Sequence, residues 1–299
     1  MDYASQKAWV RWVFLALWLL ACMTLFAMPI RALVHFSLTH EDASYILLIP
    51  ILSAWILFTE RQNIFQCVFY DLTGAATLIA PGAALLAWTL HSSVQWSASI
   101  TLSAFTLSLL LFWISGLVLF FGRSVLKRGH FAFLFLLLVV PFPDFLLNRV
   151  IYFMQWGSAE FTALLFDLFG VPALREGFVF HLPSINIEVA RECSGIRSSI
   201  ALLILAVLIG HFLLHPFWKQ LVFVLCGVFV MIVKNAVRIV TLTLLANYVD
   251  PEFLYGNLHR EGGVVFFLLG LLLLVPVLWL LQRGEKPQRN TVEIPAAQI

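Results

Sequence analysis

This sequence contains few charged residues. Only 11% of its 299 residues are charged, less than half the roughly 25% that is usual in a soluble globular protein. So little charge excludes a water-soluble globule, because polar groups could not cover its surface. It also excludes intrinsic disorder, which requires high charge and low hydrophobicity. Since 62% of the residues are hydrophobic, the composition predicts an all-α, polytopic membrane protein.

Cysteine and net charge are scarce as well. The four cysteines have no clustered spacing, which argues against a disulfide scaffold and against a zinc ribbon. His211 and His215 lie four positions apart, but the glutamate of a His-Glu-x-x-His site is absent, and we interpret the pair as a helix end. We therefore predict no metal and no cofactor. A net charge of +2 indicates no nucleic-acid surface.

Eight apolar runs approach the length of about 20 residues that a membrane-spanning helix needs. The predicted spans are residues 12–30, 45–59, 74–90, 98–121, 131–147, 199–214, 220–240 and 263–281. The first resembles a signal peptide with a cleavage box at Cys22, but its apolar run continues to Ile30, which favours a retained span. Pro141 and Pro143 interrupt the fifth span.

The distribution of basic residues predicts the orientation in the membrane. With both termini in the cytoplasm, ten of the 18 lysines and arginines lie in cytoplasmic segments and eight lie outside. Cytoplasmic loops usually carry the excess of these residues. The compact basic cluster at 123–128 and the basic tail support the same orientation.

One further helical pattern does not fit a membrane span. Residues 148–169 are fairly apolar but include Arg149, Glu160 and Asp167, so we predict an interfacial or re-entrant helix at the outer surface. After it, two short alternating stretches, 177–182 and 185–189, flank a proline and a serine. This pattern predicts a short exterior β-hairpin.

Cys193 is the cysteine whose surroundings indicate chemistry. It lies in Arg191-Glu-Cys-Ser-Gly-Ile-Arg197, at the predicted start of the sixth span. A thiol at a helix N-terminus between two arginines should have a lowered pKa and a larger thiolate fraction. The alternatives are a surface cysteine without a role, or Ser194 as the nucleophile, although no Gly-x-Ser-x-Gly elbow is present.

Two more residues complete the candidate site. Arg238 interrupts an apolar run from 221 to 246, with Lys234 four positions earlier on the same helical face. A charge at the bilayer centre costs at least ~2.5–3.5 kcal/mol, so such residues usually face the protein interior and mark function. The alternative is a side chain that snorkels to the headgroups. The third candidate is His259, which precedes the last span. The alternative interpretation of His259 is a solvated loop histidine without a catalytic role.

Helix length predicts that the three residues lie at one depth. At about 1.5 Å per residue, Arg238, Cys193 and His259 lie roughly 28, 33 and 36 Å from the cytoplasmic ends of three consecutive spans. The hydrocarbon core is ~30 Å thick, so all three reach the outer interface. A thiolate, an imidazole and a guanidinium suit acyl transfer through a thioester, with general acid–base help and oxyanion stabilisation.

Five segments occur in a specific order and spacing from about Phe131 to the last span. They are Pro141-Phe-Pro143, Glu176-Gly177, Val189-Ala-Arg-Glu-Cys-Ser-Gly-Ile-Arg-Ser198, Asn235-Ala-Val-Arg-Ile239 and His259-Arg-Glu-Gly-Gly263. Together they resemble the exosortase/archaeosortase family of membrane transpeptidases, of the bacterial exosortase type. The resemblance implies a catalytic core over 131–282. The apolar runs and the basic tail predict N-terminal helices at 1–121 and a disordered cytoplasmic tail at 284–299, all in a single membrane domain.

The resemblance also implies an activity. The enzyme would lie in the bacterial cytoplasmic (inner) membrane with its site facing outward. Its substrates would be exported proteins with a C-terminal sorting signal of the Pro-Glu-Pro (PEP-CTERM) type, transferred to an unknown surface acceptor. Membrane lipid would be the other partner. The implied catalytic residues are Cys193, Arg238 and His259, with Asn235, Ser194 and Arg197 in support.

Two other functions remain open on the sequence alone. A pure intramembrane protease would share the thioester step and use water as the final nucleophile. A transporter or polysaccharide-export permease would place Arg238 in a substrate path. Its expected signs are repeated halves and helices broken in mid-membrane, and the sequence shows no repeat.

Overall fold

The computed structural model describes residues 3–66, 69–92, 96–183, 185–189, 196–250, 253 and 263–283. The described chain is mostly helical, with one small sheet. It divides into two compact units, Met1–Val150 and Ile151–Ile299. The tail predicted for 284–299 lies outside the described residues.

Helices packed around buried apolar clusters build the first unit. These helices are α1 (Tyr3–Leu25), α2 (Ala27–Thr39), α3 (Leu48–Thr59), α4 (Arg61–Ile64), α5 (Leu72–His91), α6 (Ala98–Phe121), α7 (Ser124–Arg128) and α8 (His130–Leu136). Short 3-10 helices span Glu41–Ala43 and Leu137–Val139. Leu15 of α1 and Ile114 of α6 share one cluster, while Phe26 and Leu109 share another.

The first predicted span, 12–30, is not one continuous helix. The helix breaks at Phe26, and the parts Trp9–Leu25 and Ala27–Thr39 are inclined at 74°. Pro29 explains the break, because proline has no N–H to donate to the carbonyl four residues earlier and its ring clashes with that carbonyl in a helix. Residues 12–30 are therefore divided between two inclined helices, and the retained span there stays a prediction.

The interruption predicted in the fifth span is present. The 3-10 helix after α8 ends at Val139, and α9 (Asp144–Leu168) begins directly after the two prolines. His130–Val139 and Asp144–Leu168 are inclined at 95°. The helix predicted over 148–169 is confirmed and begins four residues earlier. Its location at a membrane interface stays a prediction.

A three-stranded antiparallel sheet follows α9. Its strands are β1 (Leu174–Glu176), β2 (Val179–His181) and β3 (Asn186–Glu188), in the order β1-β2-β3. The predicted hairpin is β2–β3, with Phe180 opposite Ile187. The strand β1 was not predicted, and its tight turn into β2 uses Gly177 at a φ of 63°. Phe180 is buried against Phe166 of α9, with ring centroids 5.5 Å apart.

Three helices form the remainder of the second unit: α10 (Ile196–Leu213), α11 (Phe217–Tyr248) and α12 (Gly263–Gln282). Glycines allow them to approach closely. A Cβ at Gly227 would lie 3.2 Å from Ala206, and a Cβ at Gly270 would lie 3.0 Å from Leu202. With 32 residues, α11 is about 48 Å long at 1.5 Å per residue. It extends beyond the predicted span 220–240 at both ends.

Four described helices are long and apolar enough to cross a membrane, namely α5, α6, α11 and α12. The number rises to six if each of the two bent pairs is one span. Two shorter apolar helices are Leu48–Thr59 and Ser198–Leu213. Each of the eight predicted spans overlaps a helix, but these lengths do not confirm eight crossings.

Candidate active site

The described residues on either side of Cys193 define the candidate active site. Outside the described residues lie Cys193, Ser194, His259 and the side chain of Arg197. The described ranges on either side of Cys193 are residues 185–189 and residues 196–250. Val189 and Ser198 are therefore the fixed points from which the site can be built.

The upstream fixed point is Val189, four residues before the predicted nucleophile. It is fully buried, and its N–H donates to the carbonyl of Phe178 over 2.9 Å. Its carbonyl accepts a hydrogen bond of 2.9 Å from Nε2 of Gln155 on α9. Val189 also belongs to the same buried cluster as Ile239 and Val240 of α11. The end of the hairpin is thus held against α9 and α11.

The downstream fixed point is Ser198, in the first turn of α10 and five residues after the predicted nucleophile. Its hydroxyl accepts a hydrogen bond from Nζ of Lys234 on α11. Lys234 is only 2% exposed. Its Cδ lies 3.6 Å from the position that a Cβ at Gly270 would occupy, so the side chain is also packed against α12. The start of α10 is thus fastened to α11 by a buried ammonium group.

Asn235, the neighbour of Lys234, faces α9. Its Nδ2 donates to Oγ of Ser158 over 2.9 Å, and both side chains are buried. Among the residues that the structure describes, Oδ1 of Asn235 has no hydrogen-bond partner. Buried polar atoms are normally hydrogen-bonded. This oxygen is therefore available to a donor that the described residues do not supply.

Arg238 lies between the contacts that α11 makes with the two fixed points. It follows Lys234 by one helical turn, on the same face, and it is half-buried. On one side of it Lys234 binds Ser198, and on the other Ile239 shares a buried cluster with Val189. Both flanks of the predicted nucleophile therefore meet the part of α11 that carries Arg238.

The entry to α12 lies toward the same end of α11. The two helices are antiparallel: Nζ of Lys219 donates to the carbonyl of Leu281 over 2.5 Å, and Lys234 lies beside Gly270 farther along. α12 therefore begins beyond the level of Lys234. His259 precedes the first residue of α12 by four positions, so the chain that contains it enters the helix at this end.

The sequence analysis did not identify the polar residues that α9 contributes to this site. Gln155, Ser158 and Thr162 are spaced by three and four positions, which places them on one face of the helix. Gln155 is half-buried and the two hydroxyl residues are buried. A polar stripe on a largely apolar helix was the available signal, because such side chains need polar partners when they are buried.

The described residues offer no evident place for a metal. No three histidine, cysteine, aspartate or glutamate side chains among them lie close enough to hold a metal ion. The pair His211 and His215 falls where α10 ends, at Leu213.

The family model for "Transmembrane exosortase (Exosortase_EpsH)" matches residues 37–276. This match covers most of the chain, and the chain therefore belongs to the transmembrane exosortase family. The matched region includes the positions of Cys193, Arg238 and His259. No curated protein and no solved structure matches the chain. The resemblance inferred from the five motifs is confirmed, and the chain is a membrane protein.

Proposed function

We propose that this exosortase is a membrane-embedded cysteine protease and transpeptidase that cleaves the C-terminal sorting signal of exported proteins. The observation that carries the proposal is the convergence of both flanks of Cys193 on residues 234–240 of α11. Ser198 is hydrogen-bonded to this stretch, and Val189 is buried in one cluster with it. The same stretch carries Arg238, so a nucleophile in the connecting segment has a guanidinium beside its anchors.

The first half of the reaction forms the thioester. The thiolate of Cys193 attacks the carbonyl carbon of the scissile peptide bond and forms a C–S bond. The guanidinium of Arg238 donates hydrogen bonds to the oxyanion of the tetrahedral intermediate. The C–N bond then breaks, and the imidazolium of His259 gives its proton to the leaving amine. The C-terminal fragment departs, and the exported protein stays on the enzyme as an acyl thioester.

The second half releases the exported protein. The now neutral imidazole of His259 takes a proton from an incoming nucleophile, which attacks the thioester carbonyl. The C–S bond breaks and the thiolate of Cys193 is regenerated. A surface acceptor gives transpeptidation, whereas water gives hydrolysis. We propose transfer to a surface acceptor, with Asn235, Ser194 and Arg197 supporting the catalytic groups.

The site would face the exterior of the bacterial cytoplasmic membrane, with both termini in the cytoplasm. Arg238 is 19 positions after Lys219, or about 28 Å along α11, close to the ~30 Å of a hydrocarbon core. Trp218 and Trp279 are exposed at the Lys219 end, and Arg283 stacks 3.3 Å from the ring centre of Trp279. Exposed tryptophans and basic residues are typical of a membrane interface. This pattern supports a membrane interface at the Lys219 end, and the distance along α11 supports the opposite interface near Arg238. The proposed assignment of the Lys219 end to the cytoplasm rests on the distribution of basic residues.

The test is cleavage of a co-expressed substrate that ends in a Pro-Glu-Pro motif, an apolar helix and a basic cluster. Cys193→Ala should abolish the size change on an immunoblot. Cys193→Ser should be nearly inactive as well, because a hydroxyl is a far weaker nucleophile without a base tuned to it.

The control removes the other thiols. A triple variant with Cys22, Cys67 and Cys226 changed to alanine should retain cleavage. Full processing by the Cys193→Ala enzyme would remove this mechanism, and the transporter function would then be the better account.

A further inference from the structure

Two polar side chains hold the chain at the two ends of the segment that contains Cys193. Gln155 on α9 donates to the carbonyl of Val189, and Lys234 on α11 donates to the hydroxyl of Ser198. The nine residues after Val189 include the predicted nucleophile near their middle. The segment is short, so the position of its two ends limits where a thiol within it can lie.

The contact at Val189 uses both polar groups of its backbone. The N–H is bonded to Phe178 within the sheet, and the carbonyl is bonded to Gln155. The side chain of Val189 is fully buried as well. The hydrogen bond from Gln155 therefore holds the carbonyl of Val189 against α9. The amide of Gln155 thus contacts the chain after the last strand, where the nucleophile segment begins.

We do not expect the hydrogen bond from Lys234 to Ser198 to stabilise the fold. Burying an ammonium group in an apolar helix bundle is costly, and replacing buried charged groups with apolar side chains of similar volume is often neutral or stabilising. A methionine could fill the space between α10 and α12 that the stem of Lys234 occupies. The lysine adds a directed hydrogen bond to the first turn of α10, which leads back to Cys193.

We propose that Gln155 and Lys234 are positioning residues that together fix both ends of the Cys193 segment beside Arg238. This inference rests on the proposed function, in which Cys193 is the nucleophile. Neither residue touches the substrate in this account. They keep the thiolate within reach of the guanidinium, and a small displacement of a reacting group lowers the rate of a step without changing how substrate binds elsewhere.

The chain supplies a matched control for each residue. Gln220 donates through Nε2 to the carbonyl of Leu214 over 2.7 Å, and Lys219 donates to the carbonyl of Leu281. These contacts have the same chemistry as those of Gln155 and Lys234, and they lie at the other end of the bundle. The four single changes to methionine therefore remove similar hydrogen bonds, two at the site and two far from it.

The experiment measures kcat and KM for tagged-substrate cleavage, the rate of Cys193 alkylation, and the thermal unfolding temperature of the detergent-purified protein. Gln155→Met and Lys234→Met should lower kcat by roughly 10- to 100-fold with little change in KM. Both should change the alkylation rate of Cys193. Gln220→Met and Lys219→Met should keep the parent kcat and alkylation rate, whatever change they cause in the unfolding temperature.

Variants of Ser198, which is the hydrogen-bond partner of Lys234, and a second variant of Gln155 keep the test informative if one variant does not fold. Ser198→Thr keeps a hydroxyl and should retain activity, whereas Ser198→Ala should resemble Lys234→Met. The double variant Ser198→Ala/Lys234→Met should lose no more activity than the less active of the two single variants, because both changes break the same hydrogen bond. Gln155→Glu has the same size but no N–H donor, and it should behave like Gln155→Met.

The outcomes separate this inference from the proposed function. If Cys193→Ala still cleaves the substrate, the proposed function fails whatever these variants do. If Cys193→Ala is inactive while Gln155→Met and Lys234→Met match their controls, only the positioning role is overturned. A loss of kcat in all four methionine variants in proportion to stability would also overturn it. Cleavage that depends on Ser198 and not on Cys193 would make Ser198 the nucleophile, and the inference would again be wrong.

Discussion

Arg123 and Asp71 tie the beginning of α5 to the end of α6 through one carboxylate. Nε of Arg123 donates to Oδ2 of Asp71 over 2.7 Å, and Nη2 donates to Oδ1 over 3.2 Å. Oδ1 also accepts a hydrogen bond of 2.8 Å from the N–H of Gly74 and so caps α5. The side chain of Asp71 is only 4% exposed. The basic cluster at 123–128 thus has a structural contact in addition to its use as a topology signal.

This contact predicts a pH-dependent stability. The hydrogen bond from Arg123, with help from the N–H of Gly74, holds the pKa of Asp71 well below its usual range. The ionised carboxylate therefore stabilises the fold above the unfolded-state pKa of about 4. That stability is lost as the pH falls through the lower folded-state pKa. Asp71→Asn should unfold at a lower temperature than the parent at pH 7, and the difference should shrink as the solution is acidified below pH of about 4.

The measurement is thermal unfolding of the purified protein in detergent across this pH range. Lys127→Ala is the control, because it removes an exposed positive charge four positions after Arg123. Its unfolding temperature should differ little from that of the parent at every pH. A difference between Asp71→Asn and the parent that does not depend on pH would contradict the assignment.

Arg238 should not be replaceable by lysine. A guanidinium presents a planar pair of N–H donors to an oxyanion, whereas an ammonium acts as a point charge. Arg238→Lys should insert and accumulate normally but process the tagged substrate poorly. Arg149→Lys, at an exposed arginine, is the matched control and should process it fully. Parent-like activity of Arg238→Lys would mean that only a positive charge is needed, as for a residue that snorkels.

The predicted orientation can be tested with a thiol reagent that does not cross membranes. Applied to intact spheroplasts, it should label Cys193 and leave Cys22, Cys67 and Cys226 unlabelled. Cys22 is buried and Cys226 is half-buried within α11. Permeabilised spheroplasts provide the comparison by mass spectrometry of the labelled peptides. Labelling of Cys193 only after permeabilisation would place the site on the cytoplasmic side.

Local patterns in the sequence were sufficient for much of the fold. Apolar runs predicted helices that the structure contains, because an apolar helix satisfies its own backbone within a membrane. Alternation around Pro183 predicted the β2–β3 hairpin. Pro141 and Pro143 predicted the interruption before α9, since proline cannot continue a helix. Pro29 carried the same signal for the break at Phe26, but the surrounding apolar run obscured it.

The contacts that build the site could not be predicted in this way. Gln155 and Val189 are 34 positions apart, Ser198 and Lys234 are 36 apart, and Asp71 and Arg123 are 52 apart. Hydrophobic periodicity identifies the face of a helix that is buried, but it does not identify the residue on another helix that meets it. The anomalous charge of Lys234 was visible in the sequence, whereas its partner Ser198 was not. Likewise, the sequence analysis did not identify β1, which pairs with β2 through the turn at Gly177.

The proposed mechanism requires a thioester on Cys193, and the mass of the Cys193 peptide would reveal it. Enzyme quenched with acid during turnover of a tagged substrate would be digested and analysed by mass spectrometry. We expect Cys193 to carry, as an acyl group, the C-terminal peptide of the fragment on the N-terminal side of the cleaved bond. The adduct should be released by hydroxylamine and absent from the Cys193→Ala enzyme. An adduct on Ser194 or Ser198, with Cys193 unmodified while cleavage proceeds, would contradict it.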